Sequence, residues 1–150
     1  MKVVIKARPQ DFVVQENAAL PFVKKGPFSA YLLSKTGWNT VELLREIARK
    51  SDIPVSAFAY GGRKDRHSQS TQYITVKSPK SLLLKTDKYS LEFVGFLARP
   101  MGPDLIEKNS FEVAVRKLSA QEAGRACTQA EAVILAAFAS NFGFNNKKQT

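Results

Sequence analysis

Between Tyr60 and Gln72 the chain reads YGGRKDRHSQSTQ, where one acid, Asp65, stands among Arg63, Lys64 and Arg66. A carboxylate crowded by cations is held in its charged form where those cations also face it in space. Ionised, it can act as a general base, a nucleophile or a metal ligand. It can equally be the capping acid of a solvated turn between two strands. A second carboxylate does not cluster with it. The single histidine, His67, excludes a histidine dyad and a multi-histidine metal site. The single cysteine, Cys127, excludes an internal disulfide framework and a thiolate cluster, so no metal is expected. Gly61-Gly62-Arg63-Lys64 lacks the spacing of a phosphate-binding loop and leads into a strand rather than a helix.

The loop depends on the elements that carry it. AFAY (57–60) reads as a strand entering it and QYITVK (72–77) as a strand leaving it. The connection is about ten residues long, more than a tight hairpin needs, and such surplus is where function resides. VVIKA (3–7) and DFVVQE (11–16) are β-branched, alternating runs on either side of Pro9, read as two strands or one broken at the proline. PFVKKGP (21–27) reads as a basic loop and FSAYLLSK (28–35) as a strand. Asn39 with Glu42 is a capping-box signal, followed by Val41, Leu44, Ile47 and Ala48 on one helical face, and Ser51, Asp52 and Pro54 close that helix. YSLEFVGFLA (89–98) and NSFEVAVRKL (109–118) are strand-like, the second with Phe111, Val113 and Val115 on one face. Ser119 with Glu122 opens a second helix to residue 139, with Cys127 in its apolar stripe, and the polar tail beyond it frays. The order predicts an α+β fold, with helices packed on one face of a largely antiparallel sheet.

A chain of 150 residues suits one domain with a real core. Its longest apolar run, AVILAAFA, is too short to span a bilayer. The opening MKVVIKARPQDF interrupts its apolar residues with Lys6 and Arg8, unlike a signal peptide. A cytoplasmic protein with no membrane partner is expected. The net charge of +10 is uneven: sixteen Lys and Arg against seven Asp and Glu up to residue 90, then seven against six. That asymmetry fits either a nucleic-acid partner for the first 90 residues or a protein that is merely basic. Lys24, Lys25, Arg63 and Arg66 are the candidate phosphate contacts.

The run GGRKDRHSQSTQ resembles the signature GxKDxxAxTxQ of the TruD family of tRNA pseudouridine synthases. Gly62, Lys64, Asp65 and Gln72 take its glycine, lysine, aspartate and glutamine, Ser70 stands for its threonine and Ser68 for its alanine. KARPQDFVVQE (6–16) resembles the family's opening K-x-x-P-x-D-F-x-V-x-E, with Lys6 and Glu16 in register. LLSKTGWNT (32–40) is similar to L-x-K-x-x-x-N-T. EKNSFEVAVR (107–116) is similar to G-N-x-F-x-[IL]-x-x-R, with Asn109, Phe111 and Arg116 in place and Lys108 where glycine is expected. The family's later P-N-Y-F-G-x-Q-R-F-G element is matched only at the start of SNFGFNNKKQT.

The resemblance implies isomerisation of a uridine in structured tRNA to pseudouridine, without a cofactor. It implies that Asp65 is catalytic, either attacking the sugar or abstracting a proton from it. Phe111 would stack on the flipped uracil, Asn109 would shape the loop presenting it, Lys6 would pair with Asp65 or a phosphate, and Lys64 would contact substrate. Lys35 and Asn39 would be structural. It also implies half of the pseudouridine synthase fold: a partial catalytic domain at 1–139 and a polar tail at 140–150, without a second half and an inserted domain. A homo-oligomer or a second chain would then complete the sheet. The other reading is a truncated, catalytically silent RNA-binding module of the same family.

Overall fold

The computed structural model of the chain describes residues 4–5 and 7–116. In chain order it contains strands β1 (Val4–Ile5), β2 (Phe12–Ala18), β3 (Phe22–Val23) and β4 (Phe28–Thr36), then helix α1 (Thr40–Ser51). Strands β5 (Phe58–Tyr60), β6 (Gln69–Val76), β7 (Tyr89–Leu97), β8 (Ile106–Val113) and β9 (Val115–Arg116) follow. β1 and β9 pair antiparallel as a separate ribbon. The other strands form a seven-stranded sheet ordered β3-β7-β4-β6-β2-β8, with β5 added to β6. The architecture is α+β and its pairings are antiparallel except β2 with β6. The expected second helix and Cys127 lie outside the described residues.

Residues facing one another across strands share a face of the sheet. Phe111, Val14, Ser70, Lys35 and Tyr89 make one such row, each partnered in register with the next. On this face α1 buries Leu43, Leu44, Ile47 and Ala48 against Tyr31, Leu33, Ile74, Val76 and Leu91. A second, smaller cluster sits to the side, where Phe12 and Val14 meet Phe111 and Val113.

The helix starts as its sequence requires, since the Asn39 side chain accepts the Val41 N–H at 2.9 Å. The second half of the expected capping box is replaced: the Glu42 carboxylate is in an ion pair with Arg66. Asp52 ends the helix in a left-handed conformation (φ 51°), its N–H returning to the Ala48 and Arg49 carbonyls. Two strand boundaries differ from expectation. Phe22 and Val23, within the expected basic loop, pair with Leu97 and Phe96 as an edge strand, and Lys24 and Lys25 follow it, exposed. β6 begins at Gln69, because polar Ser70 and Gln72 occupy its buried face and hide its alternation.

Candidate active site

The sheet face that carries α1 is interrupted by a polar seam. Glu16, Lys35, Ser70 and Gln72 are all buried there, and Asn109 faces Glu16 across β2 and β8. The seam separates the two apolar clusters, and the 61–68 loop is fastened to it. Its cause lies in β6. One edge of that strand pairs with β2 through Gln69–Thr71 and with β5 through Ile74–Val76, leaving Gln72 and Tyr73 between them. Buried backbone groups at such a split need partners. The Glu16 carboxylate supplies one by accepting the Tyr73 N–H at 3.0 Å.

Four buried side chains hold the loop backbone. The Gln72 amide donates to the Gly62 carbonyl at 2.9 Å. The Thr40 hydroxyl accepts the Lys64 N–H at 2.8 Å and lies 2.8 Å from the Gln72 amide oxygen. The Lys35 ammonium donates to the Trp38, Lys64 and Asp65 carbonyls at 2.5, 3.3 and 3.0 Å. The Ser68 hydroxyl donates to the same Asp65 carbonyl at 2.7 Å. Ser68, which stands where the resembling motif has alanine, thus adds an anchor at the acid itself.

Burial is expensive for Lys35. It strips hydration from the ammonium and pulls its pKa from 10.5 down to about 8; the negative charge of Asp65 opposes this and the Lys64 charge adds to it. Asp65 is therefore close enough to act electrostatically on Lys35. It is half-buried, whereas its neighbour Lys64 is enclosed. The Lys64 ammonium meets Glu16 at 2.9 Å, with neither side chain exposed. A pair of opposite charges withdrawn from water in this way is costly to break, because the survivor is left uncompensated.

The expected site residues fall into three groups. Asp65 and Lys64 are in the braced loop, but the Lys64 side chain faces Glu16 rather than solvent. Asn109 and Phe111 are on β8, on the same sheet face as the seam. The Asn109 side-chain oxygen is buried with no hydrogen-bond partner among the described residues, as is the Ser70 hydroxyl. Phe111 stacks on Phe12 with ring centroids 5.9 Å apart and planes 20° apart. Arg63 and Arg66 flank Asp65 and are exposed, Arg66 being tied to Glu42. Lys24 and Lys25 are distant in the fold, after β3 at the other end of β4. Lys6 lies outside the described residues. The Glu16–Lys64 pair was not foreseen, though Phe12, Val14 and Glu16 alternate onto one face, and a carboxylate ending such a row calls for a cation. No group of three or more His, Cys, Asp or Glu able to hold a metal occurs among the described residues. No helix among them is long and apolar enough to cross a membrane.

The model of the family described as tRNA pseudouridine synthase D (TruD) matches residues 1–145. The chain is 31% identical over 120 residues to tRNA pseudouridine synthase D of Leptospira interrogans, covering 79% of this chain and 29% of that protein. It is 32% identical over 122 residues to tRNA pseudouridine synthase D of Aquifex aeolicus, covering 77% and 32%. A crystal structure from Methanosarcina mazei, described as tRNA pseudouridine synthase D (TruD), superposes with a TM-score of 0.75 at 21% identity. That match covers 88% of this chain and 31% of the other, and carries the likeness of fold. The chain therefore spans about a third of the length of these relatives. With 145 of its residues under the family model, the chain belongs to the tRNA pseudouridine synthase D (TruD) family.

Proposed function

We propose that the Asp65 loop is the centre of a tRNA pseudouridine synthase. The reaction breaks the bond between uracil N1 and the ribose C1′, turns the base and forms a bond from C5 to C1′. C5 releases its hydrogen as a proton and N1 gains one, so the change is an isomerisation that needs no electron donor and no cofactor. Asp65 either attacks C1′ or removes a proton from the sugar, and both routes require its ionised form. The observation that carries this reading is the brace: Asp65 is half-buried in a loop whose backbone is held by Lys35, Thr40, Ser68 and Gln72. An acid held this way is oriented before substrate arrives.

The other roles follow from position. Phe111, backed by Phe12, offers a ring on which a flipped uracil stacks. Asn109 offers an amide oxygen to the base edge. Lys6 pairs with Asp65 or with a phosphate, and Lys64 acts through Glu16 by positioning the loop. Arg63, Arg66, Lys24 and Lys25 attract the tRNA backbone. A second copy or a second chain that extends the sheet belongs to the same proposal. So does residence in the cytoplasm, where tRNA is found.

A second reading is a catalytically silent RNA-binding module, to which the exposed cations Lys24, Lys25 and Arg63 apply equally. One assay separates the two. Transcribed tRNA carrying tritium at uracil C5 releases that tritium only if C5 becomes the glycosidic carbon. The enzyme reading predicts release by the purified chain, with at most one equivalent per target uridine. Binding without release favours the silent module.

A further inference from the structure

A second basic and aromatic surface lies at the end of the sheet remote from Asp65. A cleft there is lined by Lys25, Gly26, Pro27 and Ser29 from one side and by Lys77, Ser78, Pro79 and Phe96 from the other. Two of these residues are cations and none is an acid. The Lys77 ammonium lies 5.8 Å from the centre of the Phe28 ring. Beside the cleft an aromatic chain runs along the β7 edge. Tyr31 meets Phe93 edge-on at 5.7 Å, and Phe93 meets Phe96 at 5.1 Å. Phe22 lies against Gly95, whose φ of +154° and lack of a Cβ make room for the ring; a Cβ there would stand 2.5 Å from the ring's Cδ1. Phe93, on the sheet face of Ser29 and Phe96, remains 45% exposed, whereas Phe22 shares the opposite face with Leu97 and Phe28. The Phe93 ring, in contact with the cleft-lining Phe96, offers a stacking face near these two cations.

We propose that this cleft, with the ring of Phe93 beside it, is a second RNA-binding surface, taking backbone phosphates at Lys25 and Lys77 and stacking an unpaired base alongside. Lysines supply the sequence-independent attraction and exposed rings the sequence-tolerant stacking that single-stranded RNA requires. A second copy of the chain is a poorer occupant, since a twofold contact would bring the lysines of both copies together. The position matters. Ser29 at the cleft and Lys35 beneath the Asp65 loop lie on the same strand, six residues apart, which is about 20 Å at the rise of an extended chain. An RNA engaged at both places is held several nucleotides away from the uridine presented to Asp65. The inference rests on the RNA-directed reading above.

The test is fluorescence anisotropy with a labelled tRNA transcript and a labelled single-stranded oligouridylate, from about 50 to 200 mM salt. Lys25→Ala with Lys77→Ala is expected to weaken tRNA binding roughly tenfold. It should also reduce the slope of log affinity against log salt by about 1.4 for single-stranded contacts, or about 1.8 for duplex contacts. Phe93→Ala is expected to weaken oligouridylate binding at least fivefold with the salt slope unchanged. The charge-preserving Lys25→Arg with Lys77→Arg should keep both, and equal thermal midpoints identify the folded variants. A wild type that binds tRNA while the double alanine variant matches it in affinity and slope overturns the second surface and leaves the Asp65 reading intact. A wild type that binds neither RNA removes both. Dimerisation in sedimentation velocity that the double alanine variant abolishes or strengthens assigns the cleft to a second copy and overturns the proposal.

Discussion

Glu16 and Lys64 stand 48 positions apart in the chain and meet in one buried contact of 2.9 Å. Glu16 also accepts the Tyr73 N–H, so this one carboxylate ties β2, β6 and the Asp65 loop together. Lys64→Met is expected to cost about 3–5 kcal/mol in urea unfolding, because it leaves Glu16 buried and uncompensated. Combining it with Glu16→Leu should recover part of that loss; a double variant as unstable as the sum of its singles would contradict the coupling. Lys35 makes a different kind of prediction. Its folded pKa lies near 8 against 10.5, so between those values the unfolded chain holds a proton that the folded chain has released. Raising pH through that window therefore favours folding, and below about pH 8 the cost of the buried charge is complete. Removing the titration with Lys35→Met should flatten the dependence of stability on pH by up to about 1.4 kcal/mol per pH unit within the window. Parallel curves for the two proteins would refute the assignment. At this scale the sequence reveals that Glu16 needs a partner, from its place after Phe12 and Val14. It does not reveal Lys64 as that partner, because the pairing depends on how a distant loop folds back.

Helix α1 does more than cover the sheet. Its first residue, Thr40, receives the Lys64 N–H, and the preceding Asn39 caps it, so the helix start and the Asp65 loop share one hydrogen-bonded junction. Thr40→Val keeps the shape and removes the hydroxyl, leaving a buried N–H unsatisfied. The expected cost is about 1–3 kcal/mol, with faster amide exchange at Lys64 than elsewhere in the loop; exchange unchanged at Lys64 would break the link between helix and loop. The helix itself was legible, because its cap and its apolar spacing agree. β3 was not, since two residues between Pro21 and Lys24 are too few to display alternation. Nor was the start of β6, or its parallel pairing with β2. A parallel neighbour is chosen by the whole sheet, and the polar residues of the seam mask the strand that carries them. The loop between β5 and β6 was legible as too long for its turn, but the brace beneath it was not.

At the scale of the molecule, the proposed function joins the positive charge gathered in the first 90 residues to the braced acid, the first to attract an RNA backbone and the second to act on a base drawn out of it. If Lys24, Lys25, Arg63 and Arg66 each meet a phosphate, tRNA affinity should fall roughly hundredfold between about 50 and 200 mM salt. Indifference to salt would remove the nucleic-acid surface. Asp65 itself decides the account. Asp65→Asn preserves the size of the side chain and the backbone bonds made by Lys35 and Ser68, and removes only the charge. The measurement is tritium release from tRNA labelled at uracil C5, with wild type and Asp65→Asn side by side at equal tRNA binding. Release by the wild type and loss of at least a thousandfold in the variant is the expected result, roughly 4 kcal/mol of transition-state stabilisation; a variant that still turns over at a rate near that of the wild type would contradict it.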